Sequence, residues 1–196
     1  RETFQVPAVV RNDTVTGGLG ELYLGAGQGS TRFFYTNIGT GIGGGLIVEG
    51  KLLTGFANGA MECGHMIIRP NGVLCGCGKR GCVEQYCSAT GIVRLAKLHL
   101  AACDAPSALR DAENLTCKDI FDCGKAGDEL ALQILNRYYA YLGEFLGNIC
   151  AVVDPDAVVL GGGVSKAGQM LLDGTRPYFD KYVFHAARGA RFALAS

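Results

Sequence analysis

His65, Cys75, Cys77 and Cys82 stand within eighteen residues of one another, in the spacing H-x9-C-x-C-x4-C. Three soft thiolates and an imidazole can close a tetrahedral site, and zinc is the expected occupant. Four protein ligands leave no open position for water, so the expected role is structural. Gly76, Gly78 and Gly81 supply the sharp turns that let near neighbours converge on one ion. The competing reading is a loop of unliganded thiols, because free cysteine is often buried. Cys63 and Cys87 flank the cluster, either as bystanders or as substitute ligands. Cys103, Cys117, Cys123 and Cys150 fall in helical patterns and read as small core residues. Nine cysteines without a secretory signal point to metal or reduced thiols rather than a disulfide framework.

A second chemistry belongs to the glycines. Gly39-Thr40-Gly41-Ile42-Gly43-Gly44 satisfies G-x-G-x-x-G, yet Gly45-Leu46-Ile47-Val48 beyond it is strand-like, where a Rossmann turn needs a helix. None of the pairs Gly50-Lys51, Gly78-Lys79 and Gly124-Lys125 is followed by serine or threonine, which excludes a Walker A loop. What remains is a strand–turn–strand hairpin whose tip offers successive backbone N–H groups beside a threonine hydroxyl. Such a nest suits phosphate; the plainer alternative is a tight hairpin. A further run, Gly161 to Gly163, ends an apolar segment. Three carboxylates lie close to these motifs: Asp13, Glu62 and Glu84. Each one alone reads as a cap or a solvated charge.

The segments that carry these groups alternate between strand and helix patterns. Val6 to Val10 reads as a short strand broken by Pro7, Thr14 to Leu24 as a helix closed by Gly25, and Phe33 to Ile38 and Leu46 to Val48 as strands around the glycine run. Met66 to Ile68 reads as another strand. Ser88 is placed to cap a helix bearing Ile92, Leu95, Ala96 and His99. The clearest helix begins near Asp128, with Leu132, Leu135, Tyr139, Leu142, Leu146, Ile149 and Val153 on one stripe. Leu130, Ile134, Tyr138, Tyr141 and Phe145 form a second stripe, so this helix must be buried on two sides. Asp154-Pro155-Asp156 stops it before the buried strand Ala157 to Leu160. The pattern predicts an α/β fold with no internal repeat and no linker.

Composition narrows the function. The 196 residues carry eighteen basic and eighteen acidic side chains, a formal net charge of zero, which argues against binding nucleic acid or an anionic membrane by bulk charge. With 48% hydrophobic residues and a mean hydropathy of +0.20, the chain can build a sizeable core. No apolar run reaches the length of a membrane span. The first residue is Arg1 and no signal-peptide pattern follows, so a piece of a longer cytoplasmic chain is expected.

Together, Gly39 to Gly45, Glu62-Cys63-Gly64-His65 and Cys75-Gly76-Cys77-Gly78-Lys79-Arg80-Gly81-Cys82-Val83-Glu84 resemble the ROK family (repressors, open reading frames and sugar kinases). Glu84-Gln85-Tyr86, Ala89 to Lys97 and Val158 to Ser165 look most like the bacterial glucokinases of that family. The resemblance spans essentially the whole chain. It implies an actin-like (ribonuclease H-like) fold, with residues 13–196 as the larger C-terminal lobe, a zinc loop at 65–82 inserted in it, and residues 1–12 as the end of the N-terminal lobe or a hinge. It also implies ATP with Mg²⁺ as co-substrate and phosphorylation of glucose at its 6-hydroxyl.

By the same resemblance, Asn12-Asp13 matches the family's sugar-binding pair, with Asp13 as general base. Glu62, His65 and Glu84 match residues that hold the other hydroxyls, and His65 would serve both zinc and sugar. Gly39, Thr40 and Gly41 would lie under the phosphates, and Gly161, Gly162 and Gly163 would let the backbone approach the adenosine. The two-sided helix hints at a homodimer. The sequence departs from the family in having Thr14-Val15 after Asn12-Asp13, and in lacking the Asp-x-Gly-Gly-Thr turn that carries an aspartate near Mg²⁺. The family's final helix would lie beyond Ser196. The expected fragment is therefore inactive by itself. The competing functions are a sugar-responsive repressor, which would add nucleic acid as a partner, and a kinase for another hexose, such as N-acetylmannosamine or fructose. A zinc-stabilised domain without a small-molecule site leaves Asn12, Asp13, Glu62 and Glu84 unexplained.

Overall fold

The computed structural model describes residues 12–196; the strand expected at Val6 to Val10 lies outside them. In chain order the elements are α1 (Asp13–Leu24), β1 (Arg32–Ile38), β2 (Ile42–Val48), β3 (Lys51–Leu52), α2 (Glu84–Cys87), α3 (Ala89–Ala102), α4 (Cys117–Lys125), α5 (Glu129–Val153), β4 (Ala157–Gly161), α6 (Gln169–Tyr182) and β5 (Arg191–Leu194). They form a mixed five-stranded sheet in the order β3-β2-β1-β4-β5. β1 runs antiparallel to β2 and parallel to β4, and β5 is parallel to β4.

Strand alternation divides the core in two. Phe34, Ile38, Val158 and Leu160 face the layer of α3, α4, α5 and α6, whereas Phe33, Tyr35, Ala157 and Val159 face Leu19 and Leu22 of α1. β4 is buried along its whole length, which is why its sequence is continuously apolar. α5 starts where the Asp128 carboxylate accepts the Ala131 N–H at 2.9 Å, and ends at Asp154 in the left-handed region, φ 43°. Its second apolar face is covered within the chain by α6. A Cβ on Gly143 would stand 2.5 Å from Tyr178 Cβ, so the two helices meet almost backbone to backbone. The two-sided burial thus has an internal cause and gives no sign of a second copy.

Several expectations need correcting. The glycine turn is shorter than predicted, because β2 takes in Gly43 to Gly45 and leaves only Gly39 to Gly41 as the turn. Met66 to Ile68 is not a strand: it holds a single bridge, Ile67 to Cys82, after a 3-10 turn at Cys63–His65. Cys103 is exposed, and Cys117 and Cys123 are half-buried, so only Cys150 of those four is a core residue. α4, α6 and β5 carry patterns too short or too polar to stand out by periodicity. No helix of the described residues is long and apolar enough to cross a membrane.

Candidate functional site

Asn12, Asp13, Glu62, His65 and Glu84 all line one polar cavity of about 380 Å³, together with the hairpin tip Gly39 to Gly41. α1 begins at this cavity. The Asn12 side chain caps it, accepting the N–H groups of Thr14 at 2.9 Å and Val15 at 3.3 Å. Asp13 follows in the first turn, where the helix dipole favours a carboxylate. Its Oδ1 accepts the Thr14 N–H at 2.8 Å, while Oδ2 has no partner among the described residues. Glu84 opens α2, and its Oε2 accepts the Ile42 N–H at 3.1 Å, which ties the helix to the hairpin.

Those close approaches account for the glycines. A Cβ on Gly41 would stand 2.4 Å from Glu84 Oε2, one on Gly43 2.1 Å from Thr14 Oγ1, and one on Gly44 2.5 Å from Cys63 Sγ. The tip itself is clamped by α3: the Ala89 N–H donates to Gly39 O at 2.8 Å, and Thr90 Oγ1 donates to Thr40 O at 2.8 Å. In a trans peptide the N–H points opposite to the C=O. The N–H groups of Thr40 and Gly41 therefore point away from α3, and neither has a partner among the described residues. Two unspent donors on one side of the tip can receive an anion.

Beside this cavity, His65 Nδ1 and the Sγ atoms of Cys75, Cys77 and Cys82 lie within 4.8 Å of one another. Cys77 Sγ is 3.6 Å from Cys82 Sγ, and Cys75 Sγ is 3.7 Å from His65 Nδ1. Tetrahedral zinc, with bonds of about 2.3 Å to sulfur and about 2.0 Å to nitrogen, sets its ligand atoms roughly 3.5–3.8 Å apart. The donor set suits that ion, and these two distances match it, within a group whose atoms spread no further than 4.8 Å. A hydrogen bond from the Lys79 backbone N–H draws the Cys77 thiol down in pKa, whereas burial pushes Cys82 up to about 12. Cys63 and Cys87 stand outside the group. Both are buried, and burial pushes the Cys63 thiol up to about 12. Cys75 Sγ lies 3.9 Å from Glu84 Oε1, so the cluster adjoins the wall of the polar cavity.

A second large cavity, about 420 Å³, lies where the turn after β4 meets α4, lined by Gly163, Val164, Ala167, Phe121 and Cys117, with Ala89 between it and the hairpin. Of the three glycines expected there, only Gly163 lines it. A Cβ on Gly161 would meet the Tyr35 hydroxyl at 2.2 Å, and one on Gly162, whose φ is +83°, would stand 2.3 Å from Asn37 Oδ1. The sequence reading also missed Phe121, Val164 and Ala167, and placed Cys117 in the core. One signal was available: Thr116 and Asp119 form a capping box that announces α4. Asn37 and Thr14 are unpredicted members of the polar cavity.

The chain is similar to a glucokinase of Halalkalibacterium halodurans, 37% identical over 200 residues that cover 100% of this chain and 61% of that protein. Among solved structures it is similar to the ROK family glucokinase from Streptomyces griseus in complex with glucose and AMPPNP, at 33% identity and a TM-score of 0.91, over 99% of this chain and 65% of that one. It is equally similar in shape to a ROK family transcriptional regulator, a homologue of the E. coli MLC protein, at 25% identity and a TM-score of 0.90, over 99% of this chain and 49% of the regulator. The chain thus spans less than two thirds of the length of each. With its polar cavity, glycine hairpin and cysteine loop in place, and with the ROK family pattern matching residues 1–196 throughout, the chain belongs to the ROK family.

Proposed function

We propose that the whole protein is an ATP-dependent sugar kinase that phosphorylates glucose at its 6-hydroxyl, and that residues 13–196 are its C-terminal lobe. The observation that carries this reading is the convergence of Asn12, Asp13, Glu62, His65 and Glu84 with the unspent N–H pair of the hairpin in one cavity. Carboxylates and an imidazole suit a polyol, since each accepts from or donates to a hydroxyl. Asp13 Oδ2 takes the proton of the 6-hydroxyl as that oxygen attacks the γ-phosphorus of ATP, and ADP leaves. Glu62, His65 and Glu84 hold the remaining hydroxyls and so fix the attacking oxygen in line.

On the other side, the Thr40 and Gly41 N–H groups receive phosphate oxygens. The apolar cavity bounded by Gly163 and Phe121 takes the adenosine. Zinc held by His65, Cys75, Cys77 and Cys82 supplies structural support, locking the loop from which Glu62 and Glu84 project. Mg²⁺ enters with ATP. Cytoplasmic location and a homodimer belong to the same proposal; the mass of the whole protein in solution tests the latter.

The test is ADP release by the full-length protein against glucose, N-acetylmannosamine and fructose. Glucose-dependent turnover that disappears in Asp13→Asn supports the proposal, and turnover unaffected by that change refutes the general base. The likeness to a transcriptional regulator favours one second reading, a sugar-responsive repressor. Sugar binding without turnover, together with binding to operator DNA, would select it.

A further inference from the structure

Apart from the polar and apolar cavities, Arg94 on α3 and Arg137 on α5 line a small cavity of about 140 Å³, with Tyr86, Tyr141, Val73 and Leu98 around them. The two tyrosine rings pack with centroids 5.1 Å apart. Neither guanidinium meets a carboxylate among the described residues. Arg94 Nη1 donates to Gln85 Oε1 at 2.8 Å, and Arg137 Nε donates to the Tyr141 hydroxyl at 3.2 Å. Both acceptors are neutral, and each arginine keeps most of its N–H donors. The carboxylate on this stretch of α5, Glu144, is already taken by Arg69 in two bonds of 2.8 and 2.7 Å.

Arg94 is half-buried, and burial lowers its pKa, so its surroundings disfavour the charge they enclose. A partly desolvated guanidinium is normally offset by an anion held in its planar fork. The fork of Arg94 and that of the exposed Arg137, on neighbouring helices and lining one cavity, can grip a tetrahedral oxyanion from two sides. The volume leaves room for a phosphate group and a few further atoms.

We propose that this cavity binds a small phosphate-bearing anion, gripped by Arg94 and Arg137. The site is separate from the polar cavity but shares its supports. Val73 belongs to the cysteine loop, and its N–H donates to the Tyr86 hydroxyl at 3.0 Å, while Tyr86 lies two residues after Glu84. An occupant would therefore touch the loop that bears His65 and the short helix that bears Glu84.

The experiment titrates inorganic phosphate into the full-length protein, followed by calorimetry and ³¹P NMR, and repeats it with Arg94→Gln and Arg137→Gln. Saturable binding tighter than about 10 mM is expected, weakened about tenfold or more by either change. Binding that Arg137→Gln leaves unaltered, or no saturable binding at all, overturns the proposal. Arg137 is exposed, so its variant keeps the fold even where Arg94→Gln melts early. A second titration with methyl phosphate, which adds one carbon to the ion, distinguishes the sources. Arginine-dependent binding tighter than that of phosphate assigns a phosphate ester, and equal binding assigns the free ion.

Discussion

The polar cavity and the apolar one are nearly equal in volume and are built in opposite ways. The polar one is walled by short elements: the first turn of α1, a 3-10 turn, a three-residue hairpin tip and the four-residue α2. None of these has the length to hold itself in place by helix cooperativity, and only Cys63 of the 3-10 turn and Cys87 of α2 reach from them into the main core. They are held by side-chain-to-backbone bonds and by the four-atom cluster beside them. The apolar cavity is walled by α4 and the turn after β4, both of which rest on the main core through Ile120, Phe121 and Val164. One site depends on specific polar ties, the other on packing. The two should therefore fail separately.

The largest effect is expected where the polar cavity does chemistry. In the whole protein, Asp13→Asn should lower turnover by roughly a thousandfold while changing sugar affinity by less than about threefold. Steady-state kinetics and sugar titration check both halves, and a matching loss of affinity would turn Asp13 into a binding residue. Next comes the cluster. Cys77 is exposed, so Cys77→Ser should spare the core, yet it should abolish stoichiometric metal by elemental analysis and weaken sugar by about tenfold, as losses of metal support commonly do. Binding of an ATP analogue should shift by no more than about threefold. If nucleotide and sugar weaken together, the two cavities are not independent.

The converse change lies at Gly163, where an added Cβ meets nothing within 4 Å. Gly163→Leu should fill part of the apolar cavity and raise the KM for ATP by about tenfold, leaving sugar affinity alone. Thr116→Ala gives the smallest effect, removing the α4 cap at a cost of about 1 kcal/mol in a urea melt. Acid acts on the same cap. The Thr116 hydroxyl and N–H hold the Asp119 carboxyl below its usual range, so this contribution is present above the ordinary carboxylate pKa and fades as pH falls through the lower, folded value.

The same contrast decides what could be read before any coordinates. The spacing of His65, Cys75, Cys77 and Cys82 announces a metal site by itself, whereas Asp13, Glu62 and Glu84 each read as a cap or a solvated charge and took a role only from the family resemblance. α5 announced itself by length and by Asp128. Phe121, Val164 and Ala167 gave no such sign, because an apolar residue that lines a cavity looks like one that fills a core. Phe121 and Val164 do both, because α4 meets the turn after β4, whose Val164 stands more than forty positions along the chain from Phe121. The glycine run was legible as special but not for its full reason. Gly43 and Gly44 make room for Thr14 and Cys63, partners that no local pattern identifies.

The hairpin tip has two sides. Its carbonyls are bound by the start of α3, where Ala89 borders the apolar cavity, and its free N–H groups point the other way. It is thus a party wall one peptide thick. On the proposed function a single ATP would meet both faces, its adenosine beyond the carbonyl side and its phosphates at the N–H groups, so the tip would be gripped from both sides by one ligand.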